Sequence, residues 1–187
     1  MESCWALLPP DLDDERRLAE QVLAIHRQIH ARHFQGLPGV NESLGLQVRA
    51  ARRIEEWQVL LLLAPWMFSR LWFPLHPPPI DIPADWSAEV RDRAGYQLLG
   101  PLCSFEVLGQ RQQAHLNYHS GLGHYLLQPL ALNLQAHADA ESVFEAWNEV
   151  IRVRDENMAK MARDCPFQKE ISRRELFRRL RGRSHTK

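Results

Sequence analysis

Residues 57–75 restrict this chain more than any other stretch. They read Trp57-Gln58-Val59-Leu60-Leu61-Leu62-Leu63-Ala64-Pro65-Trp66-Met67-Phe68-Ser69-Arg70-Leu71-Trp72-Phe73-Pro74-Leu75. The first half contains a continuous apolar run, Val59 to Leu63, and the second half mixes bulky residues with Ser69 and Arg70. A membrane-spanning helix needs about 20 mainly apolar residues. Here only 13 residues, 57 to 69, lack a formal charge, and Pro65 interrupts them. Proline has no backbone donor, so an interior strand cannot pass through it unbroken. The stretch therefore predicts two strands joined at a tight corner, with Trp66, Met67 and Phe68 at or just past the bend.

The flanking patterns supply the remaining elements. Leu18, Val22, Ile25, Ile29 and His33 recur at helical spacing behind Asp11, Asp13 and Asp14, which predicts an amphipathic helix over 13–34. Gly36-Leu37-Pro38-Gly39 stops it, with Asn41 in the turn. Leu44, Leu46, Val48 and Ala50 alternate with polar or small residues, which reads as a strand with one buried face. Short turns between this strand and the 57–75 pair imply an antiparallel meander. His76-Pro77-Pro78-Pro79 begins a stiff loop. A further hairpin is read from Tyr96 to Leu99, a turn at Gly100-Pro101, and Leu102 to Leu108. Residues 112–119 alternate weakly, and Gly121-Leu122-Gly123 leads into a strand from His124 to Leu134. Pro129 makes that strand an edge or marks a bulge in it. Asp139 caps a helix with Val143, Phe144, Trp147, Val150 and Ile151 on its apolar face. Helix, strands, helix is the order of an α+β domain: a mainly antiparallel sheet with an N-terminal and a C-terminal helix packed on it, followed by a basic helical tail. The implied segments are an extension over 1–12, a domain over 13–152 and the tail over 153–187.

Charge divides the chain unevenly. Residues 163–187 hold nine Lys or Arg and three Asp or Glu, a net +6 against −6 for the rest. Such a tail suggests its own partner or docking surface. Its arginines suit phosphate contacts, which would give steeply salt-dependent binding, but aromatic interleaving stops at Phe167 and Phe177, and no nucleic-acid partner is expected. Cys4, Cys103 and Cys165 are isolated from one another, so neither a disulfide framework nor a thiolate metal site is implied. The first ten residues have no basic region and only a short apolar run, unlike a secretory signal. Cytoplasmic location without membrane insertion is expected.

Candidate sites are few. No phosphate-binding glycine loop, GxSxG or HExxH occurs, and nothing selects a catalytic pair, so no enzyme and no cofactor is expected. His26, His30 and His33 lie at spacings of four and three, a pattern that can hold zinc or nickel. They also border the apolar stripe, where histidines need no ligand. Trp66 and Met67 read as core, or, if the proline corner leaves them partly exposed, as a peptide-binding surface.

Taken together, these residues resemble the HybE family of [NiFe]-hydrogenase assembly chaperones, which includes HupJ and HoxT. Gly36-Leu37-Pro38 with Asn41 and Leu44 is similar to the family's G-L-P-x-x-N-x-x-L. Trp57 to Leu63 followed by Ala64-Pro65-Trp66-Met67-Phe68 is similar to its apolar strand and T-P-W-F-M element, with Ala64 in place of threonine. Residues 101–106 resemble P-S-G-x-F-E, with Cys103 at the glycine, and residues 122–126 resemble L-G-x-Y-L. The resemblance implies a non-enzymatic maturation factor that binds the small-subunit precursor with its twin-arginine signal, the large subunit, or both, with other maturation factors as further partners. Gly36, Leu37, Pro38, Asn41, Pro65, Trp66, Met67 and Phe68 are the partner-binding candidates it suggests. The alternative is a nickel or iron carrier using His26, His30 and His33. In the tail, Ser172-Arg173-Arg174-Glu175-Leu176-Phe177 resembles the twin-arginine core S-R-R-x-F-L. Ser172, Arg173, Arg174 and Phe177 are candidates for a mimic of that signal, or simply the capped start of a basic helix.

Overall fold

A computed structural model describes residues 5–164. The chain divides into two units, Met1–Val143 and Phe144–Lys187. In the first, Asp14 caps helix α1 (Glu15–Ile29) by accepting hydrogen bonds from the Arg16 and Arg17 backbone N–H groups, both at 3.0 Å. Leu18, Val22, Ile25 and Ile29 are buried along one stripe, as the spacing requires. The helix keeps turning to Phe34, as expected, but widens over His30–Phe34 into a single π turn, closed by Gln35 N–H donating to His30 C=O at 2.9 Å.

Six strands form one antiparallel sheet in the order β1-β2-β3-β6-β5-β4. They are β1 (Gln47–Ile54), β2 (Trp57–Ala64), β3 (Met67–Pro74), β4 (Leu102–Val107), β5 (Gln110–His119) and β6 (Gly123–Ala131). β2 and β3 pair from Trp57 opposite Pro74 to Ala64 opposite Met67, so Pro65 and Trp66 alone make the corner. The apolar run of β2 does not alternate because the sheet is covered on both sides. Leu60 and Leu62 join α1, Met67, Leu71, Phe73 and Tyr125 in one core. Trp57 and Val59 join Trp72, Trp86, Phe105, Leu116 and Leu126 in the other. Strands buried on both faces lose the polar phase of the two-residue repeat.

Three expectations need correction. β1 starts at Gln47 rather than Leu44, and Ala50 takes φ +52° where the register jumps between Arg49 and Arg52. This bulge breaks the simple alternation, as bulges at sheet edges do. The second hairpin turns at Leu108-Gly109 rather than Gly100-Pro101, with both turn residues at positive φ (+51° and +68°), as a two-residue hairpin demands. Residues 96–99 are not a strand. Tyr96, Leu98 and Leu99 pack against the α1-side core, and the chain then squeezes past Trp86 and Leu116 at Gly100, where a Cβ would lie 2.0 Å from the Leu116 carbonyl oxygen. Finally, β6 is interior, between β3 and β5. Pro129 is tolerated because pairing with β5 stops at Leu127 and the register with β3 shifts between Phe68 and Ser69, so the bulge reading of Pro129 applies.

The sheet coils strongly. β1 and β4 are its opposite edges, yet Glu55, in the β1–β2 turn, accepts a hydrogen bond from Leu108 N–H at 2.9 Å, and Trp57 meets Phe105 at 5.0 Å. Between β3 and β4 lies the proline loop, then a short turn at Ala84–Trp86 and helix α2 (Ala88–Arg91). Helix α3 (Ala140–Asp164) is capped by Asp139, whose carboxylate accepts from Ser142 N–H at 2.8 Å. Within the second unit, Arg152 bridges Glu149 and Glu156 along the helix. No helix among the described residues is long and apolar enough to cross a membrane.

Candidate functional site

The π turn, the glycine loop and the proline corner converge. The widened turn places His30 and Phe34 against Trp66. The His30 ring stacks at 5.6 Å and 10°, the Phe34 ring at 4.2 Å and 5°. The loop then needs two glycines at positive φ, Gly36 (+74°) and Gly39 (+89°), a region costly for side-chain-bearing residues. Asn41 fixes the loop. Its backbone N–H donates to the Pro65 carbonyl at 2.9 Å, and its side-chain amide donates to the Leu134 and His137 carbonyls at 2.9 and 2.8 Å. Its Oδ1 accepts from the Ser43 N–H at 3.2 Å and hydroxyl at 2.6 Å. Glu42 adds a second tie, accepting from Gly36 N–H at 3.0 Å and facing His30 Nε2 at 3.1 Å.

The contacts of Asn41 to Pro65, Leu134 and His137 join segments far apart in sequence, and the candidates Gly36, Leu37, Pro38 and Asn41 share one place with Pro65 and Trp66. Their exposures differ. Leu37 is 50% exposed, and Gly36 and Pro38 are exposed beside it. Pro65, Trp66, Met67 and Phe68 are buried, Trp66 at 7% and Met67 at 2%. The partial exposure on which the peptide-surface reading of Trp66 and Met67 depended is not present, because the π turn roofs the indole. One polar feature survives under that roof: the Trp66 indole N–H is buried and meets no acceptor among the described residues.

The coiled sheet makes a second feature. At its open seam a cavity of about 790 Å³ is lined by Glu55, Glu56 and Glu106 together with Trp57, Phe105, Pro77, Pro78 and Pro79. Glu56 lies 3.5 Å from His76 and 4.0 Å from Arg53, whereas Glu106 has no ion-pair partner among the described residues. Three carboxylates at one cavity suit a guanidinium, which neutralises their charge and can bind a carboxylate through two parallel hydrogen bonds. Sequence reasoning missed this site. Glu55 and Glu106 are 51 positions apart, and only the coil of the sheet brings them to one rim.

The family model for [NiFe]-hydrogenase assembly chaperones of the HybE type matches residues 17–179. The chain belongs to the HybE family. The solution structure of HybE from Escherichia coli is 17% identical to it, covering 72% of this chain and 74% of that one, with a TM-score of 0.47. No curated protein sequence matches the chain. Both stretches that meet at Asn41 and Pro65 lie inside the segment that defines this HybE-family membership.

The three helix histidines of this HybE-family chain have separate partners. His26 is fully buried with Nδ1 2.8 Å from the Val22 carbonyl, and burial pushes its pKa down to about 4. His30 takes Trp66 and Glu42, while His33 stacks on Tyr96 at 5.0 Å. Among the described residues no three His, Cys, Asp or Glu side chains are grouped so as to hold a metal ion. Ser172, Arg173, Arg174 and Phe177, the signal-mimic candidates, lie outside the described residues.

Proposed function

We propose that this chain captures a hydrogenase subunit precursor reversibly and holds it before assembly, using the domain over residues 13–152. Membership of a family of [NiFe]-hydrogenase assembly chaperones supports the role. The observation that carries the surface assignment is the Asn41 N–H to Pro65 C=O bond at 2.9 Å, which locks the glycine loop onto the proline corner. It presents Leu37 as an apolar anchor on a rigid base, which lowers the ordering cost of binding. Trp66 and Met67 act as the base and enter contact only if the π turn moves. No step of this role needs catalysis, and capture before export places it in the cytoplasm.

The seam cavity favours the small-subunit precursor. Its three glutamates complement the paired arginines of a twin-arginine signal. The test is pull-down of tagged full-length chain against separately expressed small- and large-subunit precursors, each with and without its leader. Small-subunit binding is expected to vanish with the signal and to weaken in Leu37→Asp and in the triple Glu55→Gln, Glu56→Gln, Glu106→Gln variant. Capture of the large subunit alone would remove the twin-arginine assignment. Capture of neither would overturn the chaperone reading.

A further inference from the structure

A separate cavity of about 260 Å³ lies between the C-terminal half of α1 with its π turn, α2 and the turn after β5. Two guanidinium groups line it, from Arg32 and Arg91. Neither has a carboxylate within ion-pair distance among the described residues. Arg91 is nevertheless held in place. It lies over the Trp86 ring at 4.5 Å and donates through Nη2 to the Gly95 carbonyl at 2.8 Å. Its Nε–H is buried and meets no acceptor among the described residues. A charged donor left unpaired in this way is costly, and the half-buried remainder of the same side chain is what an incoming acceptor would meet.

The rest of the wall agrees in sign. Asp92 is its one carboxylate, and that group already accepts from the Tyr118 hydroxyl at 3.0 Å. Against Arg32 and Arg91 it leaves the lining at +1 with the histidines neutral. His119 accepts from Gly121 N–H through Nδ1 at 3.0 Å, which puts the proton of the neutral ring on Nε2 as a further donor. Ile25 and Ile29 supply an apolar side. The volume is below the roughly 300–1,000 Å³ of pockets for drug-sized ligands, so the fit is to one small anionic group on a short apolar body. A planar carboxylate matches the guanidinium fork better than a bulky polyphosphate does.

We propose that this cavity is a carboxylate-binding site, with the Arg91 and Arg32 guanidinium groups as its grip. The carboxylate belongs either to a small free acid or to the end of a polypeptide, and the site borders the π turn but takes no residue from the glycine loop, the proline corner or the seam. The test is a ¹H–¹⁵N NMR titration of the full chain with four probes. Phenylacetate is paired with phenylacetamide, and N-acetyl-glycyl-phenylalanine with its C-terminal amide.

Both acids are expected to shift the Arg91 Nε–H and Trp86 indole resonances saturably, and both amides to leave them in place. Arg32→Gln, at an exposed helical position, should weaken acid binding about tenfold, the loss of one charge-assisted contact. Arg91→Lys keeps the charge but lacks the fork, and should weaken it similarly. A peptide acid that binds at least about tenfold tighter than phenylacetate assigns the site to a polypeptide end, and equal affinities assign it to a free acid. Equal shifts from acids and amides, no shifts, or unchanged affinity in both variants would overturn the proposal.

Discussion

Replacing Asn41 tests the architecture of the candidate site most directly. Asn41→Ala removes four side-chain hydrogen bonds: two donated to the Leu134 and His137 carbonyls and two accepted from Ser43. The Asn41 N–H to Pro65 bond is backbone and survives. A typical bond contributes about 0.5–1.5 kcal/mol net, and the part-buried carbonyls lose their partners without full access to water. The expected cost is about 2–4 kcal/mol, a large share of the stability of an ordinary domain. Asn41→Asp sharpens the test. It retains an acceptor for Ser43 but turns a carboxylate toward two carbonyl oxygens that now sit 2.9 and 2.8 Å from an amide nitrogen. Aspartate should therefore be at least as damaging as alanine, despite being nearly the same size. Urea unfolding of the full chain gives the magnitude. Hydrogen exchange over residues 36–44 and 134–138 locates it, since both segments should lose protection together. If Asn41→Ala costs under about 0.5 kcal/mol, the surface-substitution range, or if only one segment is exposed, then the reasoning that Asn41 couples the loop to the far segment fails.

Other outcomes follow from the same geometry. Burial holds the His26 pKa at about 4, below the 6.5 of the unfolded chain, so the folded state resists the proton. Its neutral form contributes fully above pH 6.5, and about 3 kcal/mol is lost as pH falls from 6.5 toward 4. Burial also lowers His119 and His124, which adds to the same trend, so a His26→Leu variant should show a shallower fall of stability over this window rather than none. Gly123→Ala should destabilise by about 3 kcal/mol, because Gly123 sits at φ +70° and a Cβ would lie 2.4 Å from the Ala6 carbonyl oxygen. Thermal melts of the full chain check it. For the seam, the triple glutamine variant should reduce both the affinity for a twin-arginine peptide and its dependence on salt, measured by calorimetry at two ionic strengths. An unchanged salt slope would move the arginine contacts elsewhere.

Local chemistry decided what could be read from the residues alone. Pro65 has no donor and Val59 to Leu63 no polar phase, so a hairpin bending near Pro65 followed from residues 57–75 by themselves, while the pairing of Ala64 with Met67 narrowed the corner to Pro65-Trp66. Asp139 and the cluster of Asp11, Asp13 and Asp14 announce helix starts because a carboxylate there can answer unpaired N–H groups within three residues, and the structure assigns the first cap to Asp14. The order of short motifs, from Gly36-Leu37-Pro38 to residues 122–126, was enough to place the chain in its family. Tertiary structure decided the rest. Leu108-Gly109 carries the second hairpin, although Gly100-Pro101 is the stronger local turn signal. The choice was made by the close passage of Gly100 beside Trp86 and Leu116, which no neighbour in sequence encodes. The interior position of β6, the roof of His30 and Phe34 over Trp66, and the grouping of Glu55 with Glu106 depend likewise on residues separated by tens of positions. Backbone preference and capping act over a few residues and are written locally. Burial and electrostatic grouping depend on distance in space, and here the coiling of the sheet sets that distance.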